Sequence, residues 1–305
     1  MLQAALLQAA AREVYEIEGE LRPAHPAIVT VYGVDTPYTG STPVQQGSSF
    51  KFKKLAPGTY TIAAWVPKLG EVRQTQAVGP GTADRKGRVR VTILCNRELA
   101  AAAGEHTVSI RRLSIPPAAS REYQEAQKCL ARGDAEGAVA RLEKAVDIAP
   151  GFAAAWNNLG TIAYQQRRFP QAEAFFRAAL KADPESYEPQ VNLGGVLLTL
   201  GKLDEAMQFN AGCVLARPKD ALANSQLGLT YFGKGDLALA EKFLLEARRL
   251  DPAHFSHPQL VLAQIYQRQG KKEAAARQME DLLRRHPDHP QAPEFRELMI
   301  KLRSP

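Results

Sequence analysis

Residues 153–186 read AAAWNNLGTIAYQQRRFPQAEAFFRAALKADPES, and this pattern returns along the C-terminal half of the chain. Four prolines follow one another at intervals of 34 residues, and a fifth comes 35 residues later. They are Pro150, Pro184, Pro218, Pro252 and Pro287. A fixed period of this length predicts a repeat architecture, in which each copy is one supersecondary unit.

Each copy has the composition of two amphipathic helices joined by a short turn. Apolar residues three and four positions apart predict a buried face on each helix. The recurring proline predicts the end of the second helix, because proline lacks an N–H group and disfavours helix at the preceding residue. Small residues such as Gly160 and Ala172 allow the two helices to approach closely. Glycines mark the turn in four copies, at Gly133, Gly201, Gly235 and Gly270.

These residues and their spacing resemble the tetratricopeptide repeat. The resemblance covers residues 119–287 in five copies, which are 119–152, 153–186, 187–220, 221–254 and 256–287. One copy cannot bury its apolar face alone, so we expect the five to stack into an all-α solenoid. Residues 288–305 are expected to close the stack with a capping helix over 291–303, whose apolar face carries Phe295, Leu298, Met299 and Leu302.

Residues 15–115 change to a period of two, which is typical of half-buried strands. Tyr15, Ile17 and Leu21 alternate with glutamates, and further strands are predicted at 27–33, 49–55, 58–66, 71–78, 87–95 and 106–113. Seven short strands separated by turn residues predict an antiparallel β-sandwich. The whole chain is therefore expected to be a multidomain β + α protein, with the sandwich followed by the solenoid.

The stretch from Phe50 to Ile62, FKFKKLAPGTYTI, resembles the carboxypeptidase regulatory-like domain, a transthyretin-like sandwich. Pro57 and Gly58 mark its turn. The resemblance implies an exported bacterial protein, periplasmic or secreted, with a cytoplasmic location as the alternative. Residues 1–14 are either the remnant of a signal peptide or an N-terminal extension, because their apolar run lacks a preceding basic residue.

The composition excludes several classes of protein. The 305 residues are 45% hydrophobic and carry a formal charge of +7, which is typical of a globular chain. No apolar run approaches the roughly 20 residues of a transmembrane helix. Three scattered cysteines, Cys95, Cys129 and Cys213, are too few for a disulfide framework and are expected to fill the core.

No catalytic constellation appears in the sequence. The nucleophile, zinc-protease and phosphate-loop motifs are absent, so we predict a protein that is not an enzyme and has no cofactor. The pairs His254/His257 and His286/His289 lie beside prolines at repeat junctions, and no third ligand follows from their spacing, so no metal site is predicted.

Two features of the sandwich leave a binding role open. Trp65 shares a strand face with Thr61, and either covers a sheet edge or contacts a glycan or a partner. The basic residues, Lys51, Lys53, Lys54, Arg85, Lys86, Arg88 and Arg90, form either a solvated strand face or a contact with an acidic glycan or the envelope. Nucleic-acid binding is not predicted, because no basic groove interleaved with aromatic residues is present.

The resemblance to the tetratricopeptide repeat also implies a concave groove lined by the first helix of each copy. The positions carried over are Tyr123, Gln127, Asn157, Asn158, Thr161, Tyr164, Val191, Asn192, Leu198, Ser225, Gln226, Leu229, Phe232 and Gln264. None is charged, which disfavours the mode in which such repeats clamp acidic chaperone C-termini with lysine and arginine. Asn158 and Asn192 are expected to pair with the backbone of an extended peptide.

Two functions follow from this sequence. The first is a non-enzymatic scaffold that binds a peptide segment of a partner in the groove, in a bacterial envelope or secreted assembly. The second is a module whose sandwich binds a glycan or a cell surface while the repeats mediate assembly.

Overall fold

A computed structural model of the chain describes residues 14–45, 47, 49–67, 69–96 and 115–303. Within these ranges seven strands are followed by eleven helices, so the predicted sandwich and solenoid are both confirmed. The predicted strand at 106–113 lies outside the described residues, as do residues 1–13.

The strands form two sheets that enclose one core. They are β1 (Tyr15–Arg22), β2 (Ala27–Gly33), β3 (Thr39–Val44), β4 (Phe50–Leu55), β5 (Gly58–Val66), β6 (Gly70–Val78) and β7 (Arg88–Leu94). The first sheet has the order β4-β1-β7, and the second has the order β3-β2-β5-β6. Alternate residues point inward, and Ile17, Val29, Ile62 and Ile93 are fully buried between the sheets. The turn at Pro57 carries the chain from the first sheet to the second.

The prediction of a purely antiparallel sandwich is wrong at one pair of strands. β7 runs parallel to β1, with Ile17 opposite Val89 and Leu21 opposite Ile93. The chain leaves β6 in one sheet and enters β7 in the other, so no hairpin constrains the direction of β7. β3 was not predicted, because its sequence TGSTPV has no alternating apolar residues and buries only Val44.

The helices form five pairs and a final cap. They are α1 (Pro117–Ala131), α2 (Ala135–Ile148), α3 (Ala153–Gln165), α4 (Phe169–Ala182), α5 (Tyr187–Thr199), α6 (Leu203–Ala216), α7 (Ala221–Gly233), α8 (Leu237–Leu250), α9 (Pro258–Arg268), α10 (Lys272–Arg285) and α11 (Ala292–Arg303). The apolar face of α11 packs on Ala263, Ala275 and Met279, which closes the core of the fifth repeat.

Glycine at the intra-repeat turn adopts the left-handed conformation that the sequence pattern requires. The φ angles are 73° at Gly133 and Gly201, 85° at Gly235 and 72° at Gly270. The second repeat has Arg167 at this position, with φ 59°, a region where a side chain is strained.

The helices of a repeat meet closely where the first helix carries glycine. A side chain at Gly160 would collide with the Phe176 ring, and one at Gly228 would collide with Leu244. At Gly194 the neighbour is the buried Asn210, which donates to the Thr230 hydroxyl over 3.0 Å.

Candidate binding site

The outer face of the second sheet of the sandwich meets the repeats. Thr75 on β6 is only 1% exposed, although its side chain points away from the sandwich core. Its amide donates to Asp251 Oδ2 over 3.0 Å, and its hydroxyl donates to the same oxygen. Asp251 itself is buried at the C-terminal end of α8.

Two further contacts fix the sheet on the repeats. The Gly81 amide donates to the Asp288 carboxylate at 2.8 Å, and a side chain at either Gly79 or Gly81 would collide with that carboxylate. At the other end, Gln165 Nε2 donates to the carbonyls of Gly33 and Thr36 at 2.9 and 3.3 Å. We call Thr75–Asp251 and Gly81–Asp288 the C-terminal attachment, and the Gln165 contacts the N-terminal attachment.

Between the sheet and the first four repeats lies a cavity of about 970 Å³, which we call the chamber. Its sheet wall includes Thr30, Tyr32, Thr61 and Arg73. Nine of the predicted groove residues form its helical wall. They are Tyr123, Gln127, Asn157, Asn158, Thr161, Tyr164, Val191, Asn192 and Gln226.

Among the residues that the structure describes, the other five predicted groove residues are not part of the chamber wall. Leu198 packs among the side chains of repeats two and three. Leu229 and Phe232 pack between repeats four and five, where the Arg268 guanidinium lies 4.8 Å from the centre of the Phe232 ring. Ser225 is fully buried against Ser256, and Gln264 is exposed.

Amide and hydroxyl groups of successive repeats are hydrogen-bonded along the helical wall. Asn192 Nδ2 donates to Asn157 Oδ1 at 2.9 Å, and Asn158 Nδ2 donates to the Tyr123 hydroxyl at 3.3 Å. Each asparagine amide carries two donors and a carbonyl acceptor. These contacts therefore hold the side chains in place while leaving hydrogen-bonding capacity for a ligand.

The chamber is also lined by charged side chains, which are Glu71, Arg73, Asp183, Glu188, Arg217, Lys219, Asp220 and Asp251. The Arg73 guanidinium donates to Glu71 Oε1 at 2.6 Å. Burial opposes its charge, but the Glu71 and Asp220 carboxylates outweigh burial and raise the pKa of Arg73. Asp220 accepts the amides of Leu222 and Ala223 at the start of α7, and the Tyr187 hydroxyl at 3.0 Å.

Of the sheet-wall residues, only Thr61 lies on a strand face for which the sequence left a binding role open, the face it shares with Trp65. Thr30, Tyr32, Thr61 and Arg73 occupy the polar positions of alternating strands, a pattern that is the same whether the face meets water or another domain.

The histidines predicted as two pairs form a cluster at the junction of the last repeats. The His257 ring centre lies 4.5 Å from that of His286 and 5.0 Å from that of His289. Burial, with the neighbouring imidazoles, lowers the pKa of His257 to about 3 and that of His286 to about 4. Among the described residues no group of three or more His, Cys, Asp or Glu side chains is arranged to hold a metal ion.

The cysteines, the basic residues of the sandwich and Trp65 are the remaining residues that the sequence singled out. Cys95, Cys129 and Cys213 are buried free thiols, as predicted, and burial raises the pKa of Cys213 to about 12. Lys51 lies within 3.4 Å of Glu16 and Glu18 on β1, and Arg88 lies 2.9 Å from Asp84, so carboxylates offset part of the basic face. Trp65 is half-buried on the outer face of β5, outside the chamber wall.

The repeats match the sequence profiles described as tetratricopeptide repeat. One profile matches residues 123–187 and 260–296, a second matches 163–226 and a third matches 221–254. Together these matches cover more than half of the chain, which therefore belongs to the tetratricopeptide-repeat proteins. All matched residues lie in the helical part, so the carboxypeptidase regulatory-like identity of the sandwich stays a prediction.

Two curated relatives share part of the repeat region. Cellulose synthase operon protein C of Xanthomonas axonopodis pv. citri is 29% identical over 184 residues, which are 56% of this chain and 12% of that protein. The Hsp70-Hsp90 organising protein of Plasmodium falciparum is 28% identical over 94 residues, which are 31% of this chain and 37% of that protein. The chain thus spans well under half the length of either relative.

Solved structures share the repeat fold. MamA from Desulfovibrio magneticus RS-1 superposes with a TM-score of 0.50 at 22% identity, covering 58% of this chain and 99% of that one. The type IV pilus biogenesis factor PilW superposes with a TM-score of 0.51 at 22% identity, covering 61% of this chain and 91% of that one. Pseudomonas aeruginosa pilF superposes with a TM-score of 0.51 at 20% identity, covering 64% of this chain and 90% of that one. At these identities the likeness shows the fold alone. Of the helices described here, none has the length and apolar character needed to cross a membrane.

Proposed function

We propose that this chain is a non-enzymatic scaffold that binds a segment of a partner protein in the chamber. The observation that carries the proposal is the chamber itself, a volume of about 970 Å³ lined by nine uncharged groove side chains from four successive repeats. A cavity of this size is at the upper end of the range of ligand pockets and holds a short peptide segment.

The helical wall suits a peptide backbone. Backbone amides and carbonyls alternate along an extended segment, and the asparagine side chains supply both donors and acceptors. Tyr123 and Tyr164 add aromatic surface with a hydroxyl at the tip, a combination that is enriched at protein interfaces.

We further propose that the partner belongs to a bacterial envelope assembly. The support for this setting is that two proteins with a similar repeat region are named for cellulose synthase and for type IV pilus biogenesis. The full-length chain is expected in the envelope fraction of its host, and recovery in the cytosol alone would contradict this setting.

Affinity capture with the full chain tests the groove. We expect Asn158→Ala/Asn192→Ala to lose a stoichiometric partner that the wild-type chain retains, with the melting temperature unchanged within about 3 °C. The matched control is Glu143→Ala/Lys181→Ala, which changes two exposed side chains of α2 and α4 without altering the net charge. Equal capture by wild type and the asparagine variant would contradict binding at the groove.

A further inference from the structure

The outer face of the second sheet supplies a wall that the repeats alone do not have. β2, β5 and β6 place hydroxyl, aromatic and guanidinium groups opposite the first helices of the repeats. The Thr30 and Ser41 hydroxyls lie 3.1 Å apart on neighbouring strands, so the wall has polar groups in fixed positions. A ligand in the chamber touches this wall as well as the helices.

We propose that the outer face of β2, β5 and β6 is the second half of the binding site, and that the ligand is an extended peptide segment without charged side chains. This inference rests on the proposed function, because it takes the chamber as the binding site. It adds a recognition surface on the sandwich and the chemical class of the segment.

The first argument is the accessible aromatic surface on both walls. Tyr32 on the sheet and Tyr164 on α3 point into the space between the domains, yet they remain 43% and 38% exposed. The two domains therefore meet without filling the space around these rings. Aromatic surface that stays accessible inside a cavity is suited to apolar side chains of a ligand.

The second argument concerns charge. Arg73 is paired with Glu71, Arg217 lies 3.5 Å from Glu188, and Asp220 caps α7. A charged side chain entering beside these groups would lose its hydration without gaining a dedicated partner, which is costly. The chamber therefore favours a segment whose polar groups are those of the backbone.

The test uses a phage-displayed library of random dodecapeptides, selected on the immobilised full chain. An enriched peptide is synthesised, and its dissociation constant is measured by fluorescence anisotropy. We expect enriched sequences to be poor in Asp, Glu, Lys and Arg. We expect Tyr32→Ala to weaken binding of the peptide at least tenfold.

Two further variants separate contact from misfolding. Ile28→Ala is the matched control, since Ile28 lies on the same face of β2 as Tyr32, is 49% exposed and lies outside the chamber wall. It should change the dissociation constant by less than twofold. Thr61→Lys places a charge in the chamber from an outward position on β5 and should weaken binding at least tenfold.

The outcomes distinguish this inference from the proposed function. If Asn158→Ala/Asn192→Ala abolishes binding of the peptide while Tyr32→Ala and Thr61→Lys leave it within twofold, the sheet wall is refuted and the groove stands. If all of these variants bind like wild type, the proposed function fails too. Enrichment of strongly charged peptides overturns the assigned ligand class. The same conclusion follows if no peptide is enriched while a glycan array retains the chain.

Discussion

The two attachments between the sandwich and the repeats differ in packing. At the C-terminal attachment, Thr75 and Asp251 are both buried, and Gly79 and Gly81 lie so close to Asp288 that a side chain at either position would displace its carboxylate. At the N-terminal attachment, one partly buried glutamine side chain reaches two carbonyls, and the chamber lies beside it. Residues of both attachments line the chamber, Gln165 at one end and Thr75 and Asp251 at the other, so the two attachments differ in burial and not in nearness to the ligand space.

This difference teaches that contacts between the same two domains can differ strongly in burial along one interface. A buried hydrogen bond whose loss leaves an unsatisfied donor contributes more to stability than a half-exposed one. We therefore expect changes at the C-terminal attachment to act on stability and changes in the chamber to act on binding.

The largest effect expected on the C-terminal attachment comes from acid, because the histidine cluster lies beside it. His257 and His286 have folded-state pKa values of about 3 and 4, against an ordinary value near 6.5. Below pH 6.5 these two histidines are protonated in the unfolded chain but stay neutral in the folded chain. The free energy of unfolding therefore falls as the pH drops toward 4. At pH 5 we expect a loss of about 2–4 kcal/mol for the pair, measured by urea unfolding.

The matched variant removes the titrating groups. His257→Asn retains a residue that tolerates the left-handed φ of 49°, and His286→Gln retains a polar side chain. Between pH 7 and pH 5 the free energy of unfolding should fall less in the double variant than in wild type, and the difference between the two falls should be about 2 kcal/mol or more. An unchanged pH dependence would show that the acid sensitivity originates elsewhere.

The second-largest effect is expected when the buried Asp251 carboxylate is removed. Asp251→Ala leaves the amide and hydroxyl of Thr75 without their acceptor, which should cost about 2–3 kcal/mol in the free energy of unfolding. The amide of Thr75 should also exchange its hydrogen at least tenfold faster, because Asp251 is the acceptor that protects it.

Asp183→Ala is the control for this change. Asp183 is the equivalent residue two repeats earlier, also at a helix C-terminus and before proline, and it forms no hydrogen bond to a described residue of the sandwich. Its substitution should leave exchange at Thr75 unaltered. Equal destabilisation by the two variants would assign the cost to the repeat and not to the attachment.

The smallest effect lies next to the N-terminal attachment. Arg167 follows Gln165 by two residues and holds a φ of 59° where other repeats have glycine. Arg167→Gly should relieve the strained backbone and stabilise the chain by about 0.5–1 kcal/mol, measured as an increased urea midpoint. Gly201→Ala, the reverse change in the next repeat, should cost about 1 kcal/mol, and a loss in both variants would contradict the explanation by backbone strain.

The sequence predicted the repeats more completely than it predicted the sandwich. Repeat helices bury faces against their immediate neighbours, so the period, the turn glycines and the terminal prolines all report on local contacts. The strand β3 escaped prediction because a half-exposed edge strand needs no apolar alternation. The parallel pairing of β7 with β1 depends on a crossing between sheets that no local pattern records.

For the candidate site, nine of the fourteen groove residues predicted from the sequence line the chamber, and most of the sheet wall was not predicted. Asn157, Asn192 and Tyr164 occupy repeat positions whose orientation follows from the helix period. Tyr32 and Arg73 occupy ordinary outward strand positions, and the partner of Thr75 lies 176 residues away in the chain. Contacts of that range leave no trace in residue spacing.

The sandwich also changes how the solenoid is expected to unfold. In an open array each repeat touches only its neighbours, so the ends fray before the middle. Here the sandwich is bonded both to Gln165 in the second repeat and, through Gly81 after β6, to Asp288 beyond the fifth. Opening the array from its C-terminal end requires the contacts of Asp251 and Asp288 with the sandwich to break. The C-terminal repeats should therefore lose structure together with the sandwich, in one cooperative step.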